Sequence, residues 1–291
     1  VETDRENSIH ERGRFVGTSG DVSDHVETFI ASQFERAGHP LLVGINGPQG
    51  SGKSTIAAEL EDRFTLRGLR VANLSLDDFY LSRQDRQILA IDVHPLLITR
   101  GVPGTHDVHL GEKVTRDLLD GYSLEIPRFS KEIDDRFPKS QWQWFTGPAD
   151  IVILEGWCVG ARPLPASALM GSENELEARF DPNGGWRLFW NSRLQSYAPW
   201  FGRIGCFIQL LPPSFDAVLR WRQQQEEALR QRVGMDCATM DDGEVMRFVQ
   251  HYERLTRWMM DGGVRSPDLT LQLDDNRKSS RCKLGSSRIQ G

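Results

Sequence analysis

Cysteine is scarce and scattered. The four in this 291-residue chain, Cys158, Cys206, Cys237 and Cys282, form no C-x-x-C pair. That spacing supports neither a zinc site nor a disulfide framework, and reduced thiols in a cytoplasmic protein are the expectation. No apolar run approaches the roughly 20 residues of a membrane span, and the amino-terminal stretch lacks a signal-peptide core, so no membrane partner is expected. Positive charge is also short: 35 Lys and Arg face 41 Asp and Glu, a net charge of −6. Such a balance argues against a nucleic-acid partner held by broad electrostatic attraction, and any bound anion must be gripped locally. There is no internal repeat and no Pro- or Gly-rich linker that divides the chain.

What is present is one stretch with chemistry written into it. Leu41-Leu42-Val43-Gly44-Ile45-Asn46 reads as a buried strand. Gly47-Pro48-Gln49-Gly50-Ser51-Gly52-Lys53-Ser54 then fits the G-x-x-x-x-G-K-[ST] phosphate-binding loop without a mismatch, and Thr55 continues into a helix. Gly47, Gly50 and Gly52 let the backbone turn and bring N–H groups toward an anion. The helix start adds its positive end. Lys53 reaches the β- and γ-phosphates of a nucleotide, and the Ser54 hydroxyl suits Mg²⁺.

Four more strands are expected, at 70–76, 150–157, 205–211 and 268–273, separated by helical stretches. This alternation predicts an α/β fold: a doubly wound, mostly parallel five-stranded sheet with helices on both faces. The second strand ends at Asp77-Asp78-Phe79-Tyr80. Carboxylates at the carboxyl end of such a strand face a ligand crevice, and one could take a proton from an attacking hydroxyl. Asp is equally at home in a turn or N-cap, so both readings stand. The third strand ends in Glu155, at the position of a metal-holding Walker-B acid. Arg220, Arg222 and Arg230 lie on a long polar helix that reads either as a lid over the phosphates or as a surface helix with Glu–Arg pairs.

The expected layout is a loose arm over 1–20, a single domain over 21–274 and a polar, basic, disordered tail over 275–291. Residues 81–107 read as irregular. Insertions at about 81–145 and 160–200 shape an acceptor pocket, and the lid covers about 213–235.

In their order along the chain, these motifs resemble the D-glycerate 3-kinase family of P-loop kinases, from about Leu41 to Leu273. The resemblance rests on the Gly47–Ser54 loop, Ser75-Leu-Asp-Asp-Phe-Tyr80, Arg100-Gly-Val-Pro-Gly-Thr-His-Asp107, Pro127-Arg-Phe-Ser-Lys131 and Leu154-Glu-Gly-Trp157. Trp221-Arg-Gln-Gln-Gln-Glu226 and Phe248-Val-Gln-His-Tyr-Glu-Arg-Leu-Thr256 complete it. The wider group is similar to pantothenate, uridine and phosphoribulose kinases. The resemblance implies ATP and Mg²⁺ as cofactors and a small-molecule hydroxyl acceptor, D-glycerate first. It implies Asp77 as catalytic base, with Asp78 second, and Ser54 with Glu155 as metal ligands. Asp78, Tyr80, Arg100, His106, Asp107, Arg128 and Lys131 would line the acceptor pocket. One departure is Ser130, where members often carry Asp. Another acceptor (pantothenate-like, nucleoside or sugar) and a nucleotide-dependent switch without an acceptor are the alternatives.

Overall fold

The computed structural model describes residues 15–16, 22–233 and 240–285. Strand β1 (Phe15–Val16) and helix α1 (Val22–Ala37) precede β2 (Leu41–Asn46) and α2 (Lys53–Leu66). Next, β3 (Val71–Ser75) passes through a 3-10 turn at Leu76–Phe79 to α3 (Arg83–Asp92) and α4 (Val108–Leu119). Four short strands follow: β4 (Leu124–Ile126), β5 (Phe129–Ser130), β6 (Asp135–Arg136) and β7 (Gln143–Phe145). They make two antiparallel ribbons, β4 with β7 and β5 with β6. Then β8 (Ile151–Gly156) is followed by α5 (Glu175–Phe180), α6 (Gly185–Arg193) and α7 (Ala198–Gly202). The chain closes with β9 (Cys206–Leu211), α8 (Phe215–Val233), α9 (Asp242–Gln250), α10 (Glu253–Met260), β10 (Leu269–Leu273) and β11 (Ser279–Leu284).

The main sheet runs β1-β11-β10-β9-β2-β8-β3. Its parallel part is β10-β9-β2-β8-β3, the five strands read from the sequence. Every residue of β2 and β8 is buried, as a parallel strand covered on both faces requires. Alternate residues feed different cores. Val43 and Ile45 pack with Ile56, Leu60 and Phe64 of α2 and Trp221 of α8. Leu42, Val152 and Leu154 pack on the other face with Trp157, Trp190 and Trp200. Among the described residues no helix is long and apolar enough to cross a membrane.

Three expectations change. Residues 279–284, expected to be disordered, form β11, antiparallel to β10 with Cys282 opposite Leu271 and the one buried residue of the strand. Its Arg281 and Lys283 are exposed, so only one side chain of the strand enters the core. The stretch 81–107, expected to be irregular, contains α3, whose pattern is inverted: Arg86 is buried while Ile91 is 83% exposed. The stretch from Met240 through Trp258, whose apolar residues Phe248, Val249, Tyr252, Leu255 and Trp258 recur at the spacing of one helix, is two helices, α9 and α10, parted at His251 and Tyr252. The 1–20 arm lies outside the described residues apart from β1, as do residues 234–235 of the lid, Cys237 and residues 286–291 of the tail.

Candidate active site

Three parallel strands end at one cleft of about 580 Å³. The phosphate loop leaves β2, Glu155 sits near the end of β8, and Asp77 follows β3. Register fixes their spacing: Glu155 lies beside Ile45 of β2 and Ser75 of β3.

The phosphate side is shaped by backbone. Gly50 and Gly52 have φ of 77° and 87°, the left-handed region that suits glycine. A Cβ on Gly50 would lie 2.6 Å from Cβ of Trp221. Pro48 and Ser51 are buried, and the Ser51 N–H donates to Pro48 O at 3.2 Å. Gly52 is the N-cap of α2 and offers no side-chain cap, so the first-turn N–H groups stay available to an anion. Gln49, Lys53 and Ser54 line the cleft, whereas Thr55 is exposed on the first turn of α2. Ser54 Oγ donates to Glu155 Oε1 at 2.8 Å. The other carboxylate oxygen, Oε2, is buried without a hydrogen-bond partner.

The other wall of the cleft is shaped by side chains. Asp77 accepts from the Tyr80 hydroxyl at 2.7 Å and pairs with Lys131 Nζ at 2.7 Å. Burial pushes the Asp77 carboxyl up, but Lys131 and Lys53 together outweigh it and hold the group well below the usual carboxylate range. The same attraction to Asp77 raises Lys131. Asp78 turns the other way. It accepts from Arg128 Nη1 at 2.9 Å and from the Phe129 N–H at 3.0 Å. Burial leaves its pKa raised despite these partners. Asp78 therefore fastens the Pro127-Arg128-Phe129 segment, and Asp77 faces the cleft.

Arg100 lines the cleft, pairs with Asp134 and lies over the Phe129 ring at 5.7 Å. Its position is set by two aromatic donors: Tyr252 to Arg100 O at 2.8 Å and Trp157 Nε1 to Gly101 O at 2.9 Å. His106 and Asp107 stand behind this wall. The His106 ring stacks on Tyr80 at 4.7 Å, and its Nδ1 meets the Tyr197 hydroxyl at 2.7 Å. Asp107 caps α4 through the Leu110 N–H at 3.1 Å and pairs with Arg136 at 3.5 Å. Ser130 is buried, its Oγ accepting from the Ile133 N–H at 3.4 Å.

The three arginines of α8 separate. Arg222 lines the cleft, 5.5 Å over Phe248, and donates to buried Glu226 at 2.6 Å. Arg220 pairs with Asp275, and Arg230 with Glu227 at 2.8 Å and Met240 O at 3.0 Å. Trp157, Tyr252, Phe248 and Glu226, none assigned a role from sequence, also line the cleft. Each lies in a motif that carried the resemblance, which is the signal that could have found them.

The model of the phosphoribulokinase / uridine kinase family matches residues 42–160, which include the phosphate loop, Asp77 and Glu155. The uncharacterized kinase mug58 of Schizosaccharomyces pombe is 37% identical over 79% of this chain and 85% of its own length. The chain belongs to the phosphoribulokinase / uridine kinase family. Within it, the chloroplastic D-glycerate 3-kinase of Arabidopsis thaliana is 32% identical over 73% of this chain and 46% of its own length. A solved D-glycerate 3-kinase from Cryptococcus neoformans superposes with a TM-score of 0.75 at 27% identity, over 91% of this chain and all of that one. The fold is that of a P-loop kinase, as the motifs imply.

Proposed function

We propose that this protein is an ATP-dependent kinase that transfers the γ-phosphoryl group to a hydroxyl of a small molecule, D-glycerate by preference. The observation that carries the reading is Asp77, held ionised by Lys53 and Lys131 in the same cleft as the phosphate loop. In the transfer, the acceptor oxygen bonds to the γ-phosphorus as the bond from that phosphorus to the ADP oxygen breaks. The hydroxyl proton passes to Asp77 Oδ. Because its carboxyl is held low, Asp77 is a weak base that takes the proton late, when the acceptor oxygen has become acidic. Lys53 and Arg222 face the charge on the transferring group. Ser54 Oγ and the unpartnered Glu155 Oε2 are hard oxygen donors of the kind Mg²⁺ takes, so the residues fit that ion. Bound there, Mg²⁺ would neutralise phosphate charge.

Arg100 and Lys131 on the acceptor wall suit an acceptor that carries a carboxylate. The Arabidopsis and Cryptococcus relatives are D-glycerate 3-kinases, which points to the same acceptor. The family match, which is equally to uridine kinases, favours a second reading: the same chemistry on a nucleoside or sugar hydroxyl.

The test is ATP consumption with Mg²⁺ across a panel of hydroxylated acceptors, with Asp77→Asn alongside. Turnover with D-glycerate that falls about 10²–10⁴-fold in the variant is expected. Turnover with another acceptor discards the substrate and keeps the mechanism. Nucleotide binding without turnover on any acceptor would leave a binding or switch protein.

A further inference from the structure

Arg277 sits in the turn between β10 and β11, within residues 275–291, whose composition is that of a disordered tail. Its φ is 64°. That backbone is held by Asp274, whose Oδ1 accepts from the Asn276 N–H at 2.9 Å and the Lys278 N–H at 2.8 Å. The Arg277 N–H donates to Asp274 O at 3.0 Å. So fixed, the side chain reaches three elements. Nε donates to the carbonyl of Gly50, in the middle of the phosphate loop, at 2.5 Å. Nη2 donates to Gln224 of α8 at 2.8 Å. The guanidinium lies over the Trp221 ring at 5.3 Å, and the Trp221 indole N–H returns to Asp275 O at 2.8 Å.

A peptide's C=O and N–H point opposite ways. Holding Gly50 O therefore also aims the Ser51 N–H, which closes the loop's own turn on Pro48. Gln224 lies two residues beyond Arg222, the α8 arginine that lines the cleft. One side chain thus spans the loop and the helix above it.

We propose that Arg277 is a positioning residue for nucleotide binding, fixing the Gly50–Ser51 peptide and tying the phosphate loop to α8 before the triphosphate arrives. This rests on the nucleotide reading above, and its test keeps the two apart. Arg277→Gly removes the guanidinium at a backbone position that glycine favours. Arg277→Asn, the side chain best tolerated there after glycine, is the second variant should the first be unstable. ATP and ADP affinities are read by calorimetric titration, and steady-state constants by the acceptor assay.

The expected result is a dissociation constant and a KM for ATP weakened roughly ten- to a hundredfold, the worth of a charged hydrogen bond. At saturating ATP, kcat and the KM for acceptor stay within about twofold, since neither depends on loop organisation once nucleotide is bound. Low-millimolar guanidinium chloride restores part of the lost affinity, and Lys278→Ala in the same turn behaves as wild type. Wild-type affinity in both Arg277 variants overturns the inference and leaves the nucleotide reading intact. A uniform fall in every constant, without rescue, overturns it in favour of a plain structural brace. A wild-type protein that binds no nucleotide overturns both.

Discussion

On the phosphate side of the cleft, two strands buried along their full length deliver Glu155 and a loop whose shape is set by glycine φ angles and by contact with Trp221. On the acceptor side, the segment from Asp77 to Arg136 is tied through side chains: Asp78 to Arg128 and Phe129, Arg100 and Arg86 to Asp134, and Arg136 to Tyr80 O. The first construction rests mainly on backbone geometry and apolar packing, and it presents backbone N–H groups that any phosphate satisfies. The second is long-range and polar. Its cations and carboxylates can be exchanged one at a time without disturbing the sheet. A scaffold built this way keeps one donor chemistry while its acceptor wall varies.

Gly50→Ala attacks the first construction and carries the largest expected effect. The new Cβ meets Cβ of Trp221 at 2.6 Å on a backbone with φ of 77°, a cost of about 2–4 kcal/mol. Denaturant unfolding should show that loss, and nucleotide titration a fall in affinity of more than about a hundredfold. An unperturbed loop would show that the phosphate side is softer than its packing implies. Asp78→Ala attacks the second. It strands the Arg128 guanidinium and the Phe129 N–H, at about 2–3 kcal/mol. The KM for acceptor should rise roughly ten- to a hundredfold, with the KM for ATP within about twofold. Equal movement of both constants would erase the distinction between the walls.

The same contrast explains what the sequence could say. The loop from Gly47 to Ser54 and the apolar runs of β2 and β8 are local signals, and they predicted the fold and the strand–loop–helix on which the proposed phosphate site rests. Asp77 and Asp78 are adjacent and chemically identical, and it takes contacts made 50 and more residues away to separate the residue paired with Lys131 from the one fastening Arg128. α3 was missed because Arg86 is buried where an apolar residue was expected, with its guanidinium donating to the Leu81, Ile98 and Asp134 carbonyls. β11 was missed because a strand with one buried residue carries a polar tail's composition. His106 and Asp107 were grouped with the pocket by motif, although one is buried behind Tyr80 and the other caps α4.

His106 gives a smaller effect with a defined sign. Burial, opposed by Asp77, lowers its pKa from 6.5 to about 4. Between those values the unfolded chain binds a proton that the folded one does not. Stability is therefore complete above about pH 6.5 and falls as pH drops toward 4, by up to about 1.4 kcal/mol per unit. Asp77 contributes in a different window: its stabilisation is present above the ordinary carboxylate range and is lost only below it. Unfolding curves of wild type and His106→Asn between pH 7 and 5 should converge as pH falls. Parallel curves would mean that the acceptor wall admits a proton at His106 Nε2, which is buried and without a hydrogen-bond partner.

Arg220→Ala should do least, and that makes it a sharp test of which residues of α8 belong to the cleft. Arg220 and Arg222 are two positions apart on one helix, so sequence treats them alike. A separation of two residues places them about 200° apart around the helix axis. Arg222 faces the cleft beside Phe248, with 16% of its side chain exposed, while Arg220 meets Asp275 on the outside at 52%. An exposed ion pair of that kind contributes about 0–1 kcal/mol and is screened by salt. Arg220→Ala should leave kcat/KM within about twofold and stability within about 1 kcal/mol. Arg222→Ala should lower kcat by at least about tenfold, as the loss of a charge-stabilising group does. If Arg220 mattered as much as Arg222, α8 would have to rotate between the empty and loaded states. The Arg277–Gln224 tie between that helix and the phosphate loop opposes such a rotation.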